Sequence, residues 1–325
     1  MALIDNDIEL KKHNSSITKQ LSVPSIQSFL ADAETKYIIP AVGRAQFNAT
    51  VAAKPTIVVG SNAETLLLAL QKASVNFAIA EYANFGAVSI DDSGLFVRKS
   101  DSKAPASDKK VMALREQSMS AGYDAIELAV DFLEEHISDF PVYAASDEHI
   151  ENRSRFINSS REFPQKLPVN PTLFASIKSI ISKVEDDYIV TVLGDDLDGQ
   201  LRTKIRNKSL TELDKELLRM IRKAVGSIAI AEAIPYRLVS FDGTGSYVRS
   251  ETVGGISGNV ENRSPAEIQR MQVTMNKLVT DGESDLERLR LWLNKHTTEY
   301  NTYTPSTMAV LNQVNESTDG AVYFL

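Results

Sequence analysis

The chain contains no cysteine among its 325 residues. This absence excludes disulfide bonds, thiolate metal sites and cysteine nucleophiles, and it is compatible with folding in a reducing cytoplasm. No apolar run approaches the roughly 20 residues that a membrane-spanning helix requires. The first residues also lack the basic and then apolar order of a signal peptide. We therefore expect neither a membrane anchor nor a secretory leader.

Positive charge is scarce in the chain, which has 35 Lys and Arg against 43 Asp and Glu and a formal net charge of −8. A protein that grips nucleic acid draws most of its affinity from Lys and Arg contacts with phosphates. An acidic chain without a long basic run is therefore a poor candidate for a sequence-specific reader of nucleic acid. A neutral or acidic wall would still let DNA slide past it.

Histidine is rare as well, with four in the chain, and His136 and His296 each fall near the end of a predicted helix. A histidine metal site needs further ligands at a suitable spacing, such as a His-Glu-x-x-His pattern, which the sequence lacks. A cationic side chain at a helix C-terminus opposes the helix dipole, and this role suits both histidines. We predict no metal ion and no cofactor.

Recognisable catalytic patterns are missing too. The acidic pairs Asp91–Asp92, Asp186–Asp187 and Asp195–Asp196 are adjacent in sequence, so the two side chains of each pair point in different directions. The glycines do not continue into a phosphate-binding loop, and no Gly-x-Ser-x-Gly elbow occurs. We predict that the chain is not an enzyme, with no catalytic, metal-binding or cofactor-binding residues.

The chain does contain an internal repeat. Residues 78–98 and 229–249 are identical at 10 of 21 positions when one is shifted by 151. The same shift pairs residues upstream, whereas a shift of 160 pairs residues downstream, so the second copy carries a nine-residue insertion. The pairs include Tyr37 with Tyr188, Gly43 with Gly194, Gly122 with Gly282, and His136 with His296. We predict two units, residues 1–150 and residues 151–325.

Each copy is predicted to be mainly α, so the chain is two tandem copies of a helical-bundle unit, each with a short β-hairpin. An early helix ends near Gly43 or Gly194, and an apolar, alanine-rich helix follows over residues 62–82 or 210–233. Alternating apolar residues around an Asp- and Gly-rich turn indicate the hairpin, with Asp91, Gly94, Asp242 and Gly245 in its turns. Long helices over 107–136 and 265–296 complete the copies, and AVYFL at the C-terminus is a predicted strand.

The insertion falls in a glycine-rich run at residues 252–264 that has no counterpart in copy one. Its simplest interpretation is a mobile loop. The alternative is an arm that becomes ordered against a partner, and on that alternative the candidate contact residues are Val253, Gly254, Gly255, Ile256, Ser257, Gly258 and Asn259.

Four stretches of copy two carry a family resemblance. These are FINSSREF, VEDDYIVTVLGDDL, AIAEAIPYRLVSFDGTG and LNKHTTEY, and together they resemble a duplicated protein of phages and prophages of Bacteroidetes bacteria. A single copy, with its early helix and alanine-rich core helix, is also similar to the helical head–tail connector (adaptor) proteins of tailed phages. The second similarity is an analogy at the level of the fold.

The resemblance implies a structural role in the virion. Connector proteins form rings of about twelve subunits beneath the portal protein and join the capsid to the tail. The implied partners are further copies of the chain, the portal protein, other neck or tail proteins, and DNA that passes through the lumen without sequence-specific binding. The implied location is the virion neck, after assembly in the host cytoplasm. Two alternatives stay open, namely another tail structural or tail-completion protein, and a helical enzyme or regulator with an unrecognised site.

Overall fold

The computed structural model describes residues 2–14, 17, 21–86, 88–91, 94–97, 106–242, 245–248 and 265–305. These residues separate into two compact units. The first contains the described residues up to Asn152 together with Asn170–Ala175, and the second contains Arg153–Val169 and the described residues from Ser176 onward. Both units present the same succession of long helices, as the internal repeat predicts.

The first unit is built from eight described α-helices and one short ladder. In chain order they are α1 (Asp7–Lys12), α2 (Val23–Ala33), α3 (Ile39–Val42), α4 (Arg44–Ala53), α5 (Asn62–Phe85), β1 (Val88–Asp91), β2 (Gly94–Val97), α6 (Asp108–Glu135), α7 (Pro141–Ala144) and α8 (Asp147–Asn152). A π-helical turn over Glu34–Ile38 joins α2 to α3.

The later elements repeat this order without a described counterpart of α1, α7 or α8. They are α9 (Pro171–Val184), α10 (Val190–Leu193), α11 (Asp195–Arg206), α12 (Glu212–Leu238), β3 (Val239–Asp242), β4 (Gly245–Val248) and α13 (Pro265–Lys295). A second π-helical turn, over Glu185–Ile189, stands at the position equivalent to the first.

A pair of long helices forms the centre of each unit, because α5 packs along α6 and α12 packs along α13. The predicted buried position of α5 and α12 is confirmed, since their alanines Ala73, Ala78, Ala224 and Ala229 are fully buried. Alanine has no side chain beyond Cβ, so it lets the neighbouring helix approach closely. The core of the first unit continues into large side chains such as Phe77, whose ring stacks on Tyr37 with centroids 4.1 Å apart.

The predicted early helix is interrupted rather than continuous. In each unit it passes through a π-helical turn, in which one more residue is fitted per turn than in an α-helix. It ends at Gly43 or Gly194, with φ of 84° and 76° respectively. Positive φ is strained for residues with a Cβ, which explains glycine at both positions. The sequence pattern predicted the two ends and missed the two π-helical turns.

The predicted fold class, a helical bundle with a β-hairpin in each copy, needs correction. Helices make up most of the described residues, and the packing between elements of each unit is mainly between helices. The segments after α5 and α12 form only four-residue antiparallel ladders, β1 with β2 and β3 with β4, and each strand pairs solely with its neighbour in the chain. An isolated pair of strands is at best marginally stable by itself and does not make a β-layer. The fold is therefore all-α in architecture, and the predicted C-terminal strand AVYFL lies outside the described residues.

Each long helix pair has a glycine at which the partner helix leaves no room for a side chain. A Cβ added to Gly122 would lie 2.6 Å from the Phe77 ring, and one added to Gly282 would lie 2.5 Å from Cγ1 of Ile228. We expect Gly122→Ala and Gly282→Ala each to lower the free energy of unfolding by about 1–3 kcal/mol, because the added methyl group overpacks the core. Thermal and urea unfolding monitored by circular dichroism measure this.

Gly199 on α11 is the matched control for both substitutions. A Cβ added there meets nothing within 4 Å. Alanine has a better helix propensity than glycine, so Gly199→Ala should raise stability by up to about 1 kcal/mol. Equal effects of the three substitutions would contradict the close-packing argument.

Candidate functional site

Each unit buries a glutamate at the first position of its π-helical turn. Oε1 of Glu34 accepts a hydrogen bond from the Leu3 N–H at 3.1 Å. In the second unit Oε1 of Glu185 accepts two, from Phe156 N–H at 2.9 Å and Ile157 N–H at 3.2 Å. The two glutamates are equivalent under the 151-residue shift. Each therefore fastens the segment that precedes its own bundle, and we call this arrangement the clasp.

The other side of the same segment is held by donors from the neighbouring helices. The Leu3 carbonyl accepts from Nε2 of Gln71 at 2.8 Å and from Nζ of Lys54 at 3.0 Å. The Phe156 carbonyl accepts from Nε of Arg222 at 2.8 Å, and Arg222 is the equivalent of Gln71. Because Leu3 and Phe156 are fully buried, the clasp satisfies backbone groups that have no access to water.

Electrostatics differ between the two clasps. Arg202 lies 3.2 Å from Oε2 of Glu185, its Nε lies 2.7 Å from Asp198, and its guanidinium covers the Phe156 ring at 4.7 Å. Burial raises the pKa of the Glu185 carboxyl to about 7, against the opposing effects of Arg202 and the two N–H donors. Burial also raises the pKa of Glu34, which the Leu3 N–H opposes. The position equivalent to Arg202 is Val51, so the second clasp alone has a guanidinium there.

A buried carboxyl with a raised pKa is also typical of catalytic sites. The Glu185 side chain is fully inaccessible, with Oε1 on two backbone N–H groups and Oε2 on Arg202. A substrate would have to displace the chain segment itself to reach it. We therefore assign Glu34 and Glu185 to holding the fold together.

A tyrosine three residues after each glutamate makes a further contact, with a glutamate of the central helix. The Tyr37 hydroxyl donates to Glu81 at 2.7 Å, and the equivalent Tyr188 hydroxyl lies 3.5 Å from Glu232. Burial is the main cause that raises the pKa of both tyrosines, and the glutamate carboxylates add to it. These pairs connect each π-helical turn to the central helix of its unit.

The two equivalent histidines lie where the sequence places them, directly after the last residues of α6 and α13. Nδ1 of His136 is 3.2 Å from the Phe132 carbonyl, and Nδ1 of His296 is 2.8 Å from the Trp292 carbonyl. Each imidazole also packs against the ring of the same aromatic residue, with centroids 4.3 Å and 3.9 Å apart. Each histidine is thus within hydrogen-bond distance of a backbone carbonyl in the last turn of its helix. Within the described ranges, no group of three or more histidines and carboxylates is arranged to hold a metal ion.

The first unit contains a polar cluster around Glu134. The buried Glu134 carboxylate accepts from the Tyr143 hydroxyl at 2.7 Å, and Nδ1 of His149 lies 2.8 Å from the same oxygen. In the second unit the equivalent pair is Asn294 and Tyr303, at 3.0 Å. His149 belongs to α8, so the cluster attaches this last helix to the first unit. In the sequence, the cluster is indicated only by the difference between Glu134 and Asn294 at equivalent positions, and the sequence analysis did not predict it.

The turn residues predicted from sequence lie at the ends of the two ladders. Asp91 pairs in register with Gly94, and Asp242 with Gly245, so each pair ends its ladder beside the turn. Asp186–Asp187 and Asp195–Asp196 are exposed. The glycine-rich insertion, with the candidate partner contacts Val253, Gly254, Gly255, Ile256, Ser257, Gly258 and Asn259, lies outside the described residues.

The raised pKa of Glu185 predicts a pH dependence of stability. A carboxyl whose pKa is higher in the folded than in the unfolded state contributes stability at low pH that is lost as pH rises. The loss should run from about pH 4.5, the ordinary value, to about pH 7. Glu185→Gln keeps an acceptor for the Phe156 N–H but does not titrate, so it should flatten this part of the profile. Urea unfolding between pH 4.5 and pH 8 measures it.

Glu212→Gln is the control for that measurement, because the Glu212 side chain is 90% exposed. It should leave the wild-type profile unchanged. If Glu185→Gln and Glu212→Gln give the same profile as the wild type, the buried carboxyl does not set the pH dependence.

Removal of one tyrosine hydroxyl should lower the free energy of unfolding more in the first unit than in the second. Tyr143→Phe deprives a buried carboxylate of a donor, and hydrogen bonds to charged groups contribute about 1.5–3 kcal/mol. Tyr303→Phe breaks a bond to a neutral amide, for which about 1 kcal/mol is expected. Thermal unfolding of the two variants gives the difference, and an equal or reversed order would contradict the role assigned to Glu134.

Comparison with known proteins places the chain in a family. No helix among the described residues is both long and apolar enough to cross a membrane. No curated protein and no solved structure matches the chain. The model of a family of unknown function, DUF6712, matches it twice, over residues 38–153 and 189–310. The two matches confirm the internal duplication and cover most of the sequence. The chain therefore belongs to the DUF6712 family, as two tandem copies of its conserved unit.

Proposed function

We propose that the chain is a structural protein of a tailed-phage virion, a head–tail connector that assembles into a ring between the portal protein and the tail. The main support for the proposal is that the duplicated residues stabilise the fold of each unit. Glu34 and Glu185, Tyr37 and Tyr188, and Gly122 and Gly282 all hold their own unit together. The repeat preserves an architecture, and this is the property of a scaffold.

A duplicated scaffold suits a ring for a geometric reason. Head-to-tail contact between subunits needs two different patches on each subunit, and closure of the rotation gives a ring. Two copies of one fold supply two related surfaces that are able to diverge independently. The net charge of −8 supports a role as a conduit, since acidic walls do not retain the phosphates of passing DNA.

The resemblance in sequence to phage and prophage proteins supplies the virion context of the proposal. On this basis the partners are further copies of the chain, in a ring of about twelve, the portal protein, and neighbouring neck or tail proteins. The site of action is the neck of the virion, and no catalytic step is involved.

Mass photometry and negative-stain microscopy of the full chain test this proposal, alone and with the portal protein from the same genome. We expect a ring-shaped oligomer, or a ring that forms on addition of the portal protein. Immunogold labelling of purified virions should place the chain at the neck. A chain that stays monomeric in both conditions and is absent from virions contradicts the proposal.

A further inference from the structure

The long helices α6 and α13 present equivalent outer faces of opposite charge. On α6 the face lies opposite the buried residues Ala125 and Ala129, and on α13 it lies opposite Leu286 and Leu289. Spacings of four, three and four residues place the members of each face in one stripe along the helix. We call them the acidic face, made of Asp124, Leu128, Asp131 and Glu135, and the basic face, made of Ser284, Arg288, Leu291 and Lys295.

The two faces occupy the same four positions of the repeat. A shift of 160 places Asp124 on Ser284, Leu128 on Arg288, Asp131 on Leu291, and Glu135 on Lys295. Three negative charges in the first copy are thus replaced by two positive charges in the second. The same trend holds for the whole sequence, since residues 1–152 have 13 Lys and Arg against 21 Asp and Glu, and residues 153–325 have 22 of each.

Each face has one exposed leucine among its charges. Leu128 is 45% exposed and Leu291 is 48% exposed. Lys295 and Arg288 are exposed too, and the contact of Arg288 with Asp285, at 3.3 Å, is a surface pair that contributes little. Asp124 and Glu135 are exposed on the acidic face, as Ser284 is on the basic face.

From these observations we propose that the acidic face of one copy of the chain docks on the basic face of a second copy. The two faces differ, so the contact is heterologous and continues from subunit to subunit until a ring closes. Opposite charges in such a contact fix the partner and the register, and like charges penalise the wrong pairing. The inference rests on the proposed assembly and names the surfaces that make it.

The spacing of the side chains selects an antiparallel arrangement of α6 against α13. With Leu128 opposite Leu291, antiparallel helices bring Asp124 opposite Lys295 and Asp131 opposite Arg288. A parallel arrangement with the same leucine contact would displace each acid from the nearest basic residue by one residue of rise, about 1.5 Å, and would place Asp124 level with Glu287. The structure thus assigns Asp124 and Lys295 of different subunits to one ion pair, with the leucines at the centre of the contact.

Charge reversal of this pair in the full-length chain tests the assignment. Asp124→Lys and Lys295→Glu should each weaken self-association by roughly tenfold, because each places like charges in contact. The double variant Asp124→Lys/Lys295→Glu should return to within about threefold of the wild type. An equimolar mixture of the two single variants should also assemble, since every contact in it is again complementary. Sedimentation velocity over a concentration series gives the dissociation constants.

Glu116→Lys is the matched control for Asp124→Lys, because Glu116 is exposed on α6 outside the acidic face and the two substitutions change the net charge equally. It should assemble like the wild type, and thermal unfolding should show that all variants are folded. If the wild type assembles and the single variants match Glu116→Lys, this inference falls and the proposed function stands. If the variants lose only binding to the portal protein, the faces serve another partner and the inference also falls. A wild type that never assembles overturns both.

Discussion

A buried carboxylate that accepts backbone N–H groups is the interaction on which the rest of each unit depends. Glu34 and Glu185 bring a preceding chain segment into the core and satisfy its donors there. Without such an acceptor, each buried N–H would cost about 1–3 kcal/mol. The π-helical turn supplies the acceptor, since it begins at the glutamate and places the tyrosine three residues later toward the central helix. The helix irregularity, the filled core and the Tyr–Glu pair are therefore parts of one arrangement.

The two units reach the same packing with different chemistry. Gln71 donates to the Leu3 carbonyl in the first unit, and Arg222 donates to the Phe156 carbonyl in the second. Arg202 and Asp198 add charges to the second clasp, whereas Lys54 adds its charge to the first and pairs there with Asp5 and Glu9. Interior positions thus tolerate exchange between neutral and charged partners if every buried polar group keeps a bond. Conserved geometry, more than conserved residues, is what the duplication retains.

Divergence at the surface follows a different rule. A residue that points away from the core is free of packing constraints, so the equivalent outer faces of α6 and α13 have come to differ in charge, from Asp124 to Ser284 and from Glu135 to Lys295. In a repeat whose interior is used for stability, such differences are the natural place for partner recognition. This relation between a constant interior and a changed exterior connects the fold to the proposed assembly.

Sequence alone determined the duplication, its register, the long buried helices and the helix ends at Gly43 and Gly194. These properties depend on local spacing and on alanine or glycine at particular positions, which a linear pattern records. The tertiary structure decided what the sequence pattern missed. It showed the clasps, because Leu3 and Glu34 meet only after 31 residues of chain have folded, and no spacing rule predicts which carboxylate a distant N–H will find. It also reduced the predicted hairpins to isolated ladders of four residues per strand, since alternation indicates a strand but not how many strands pair with it.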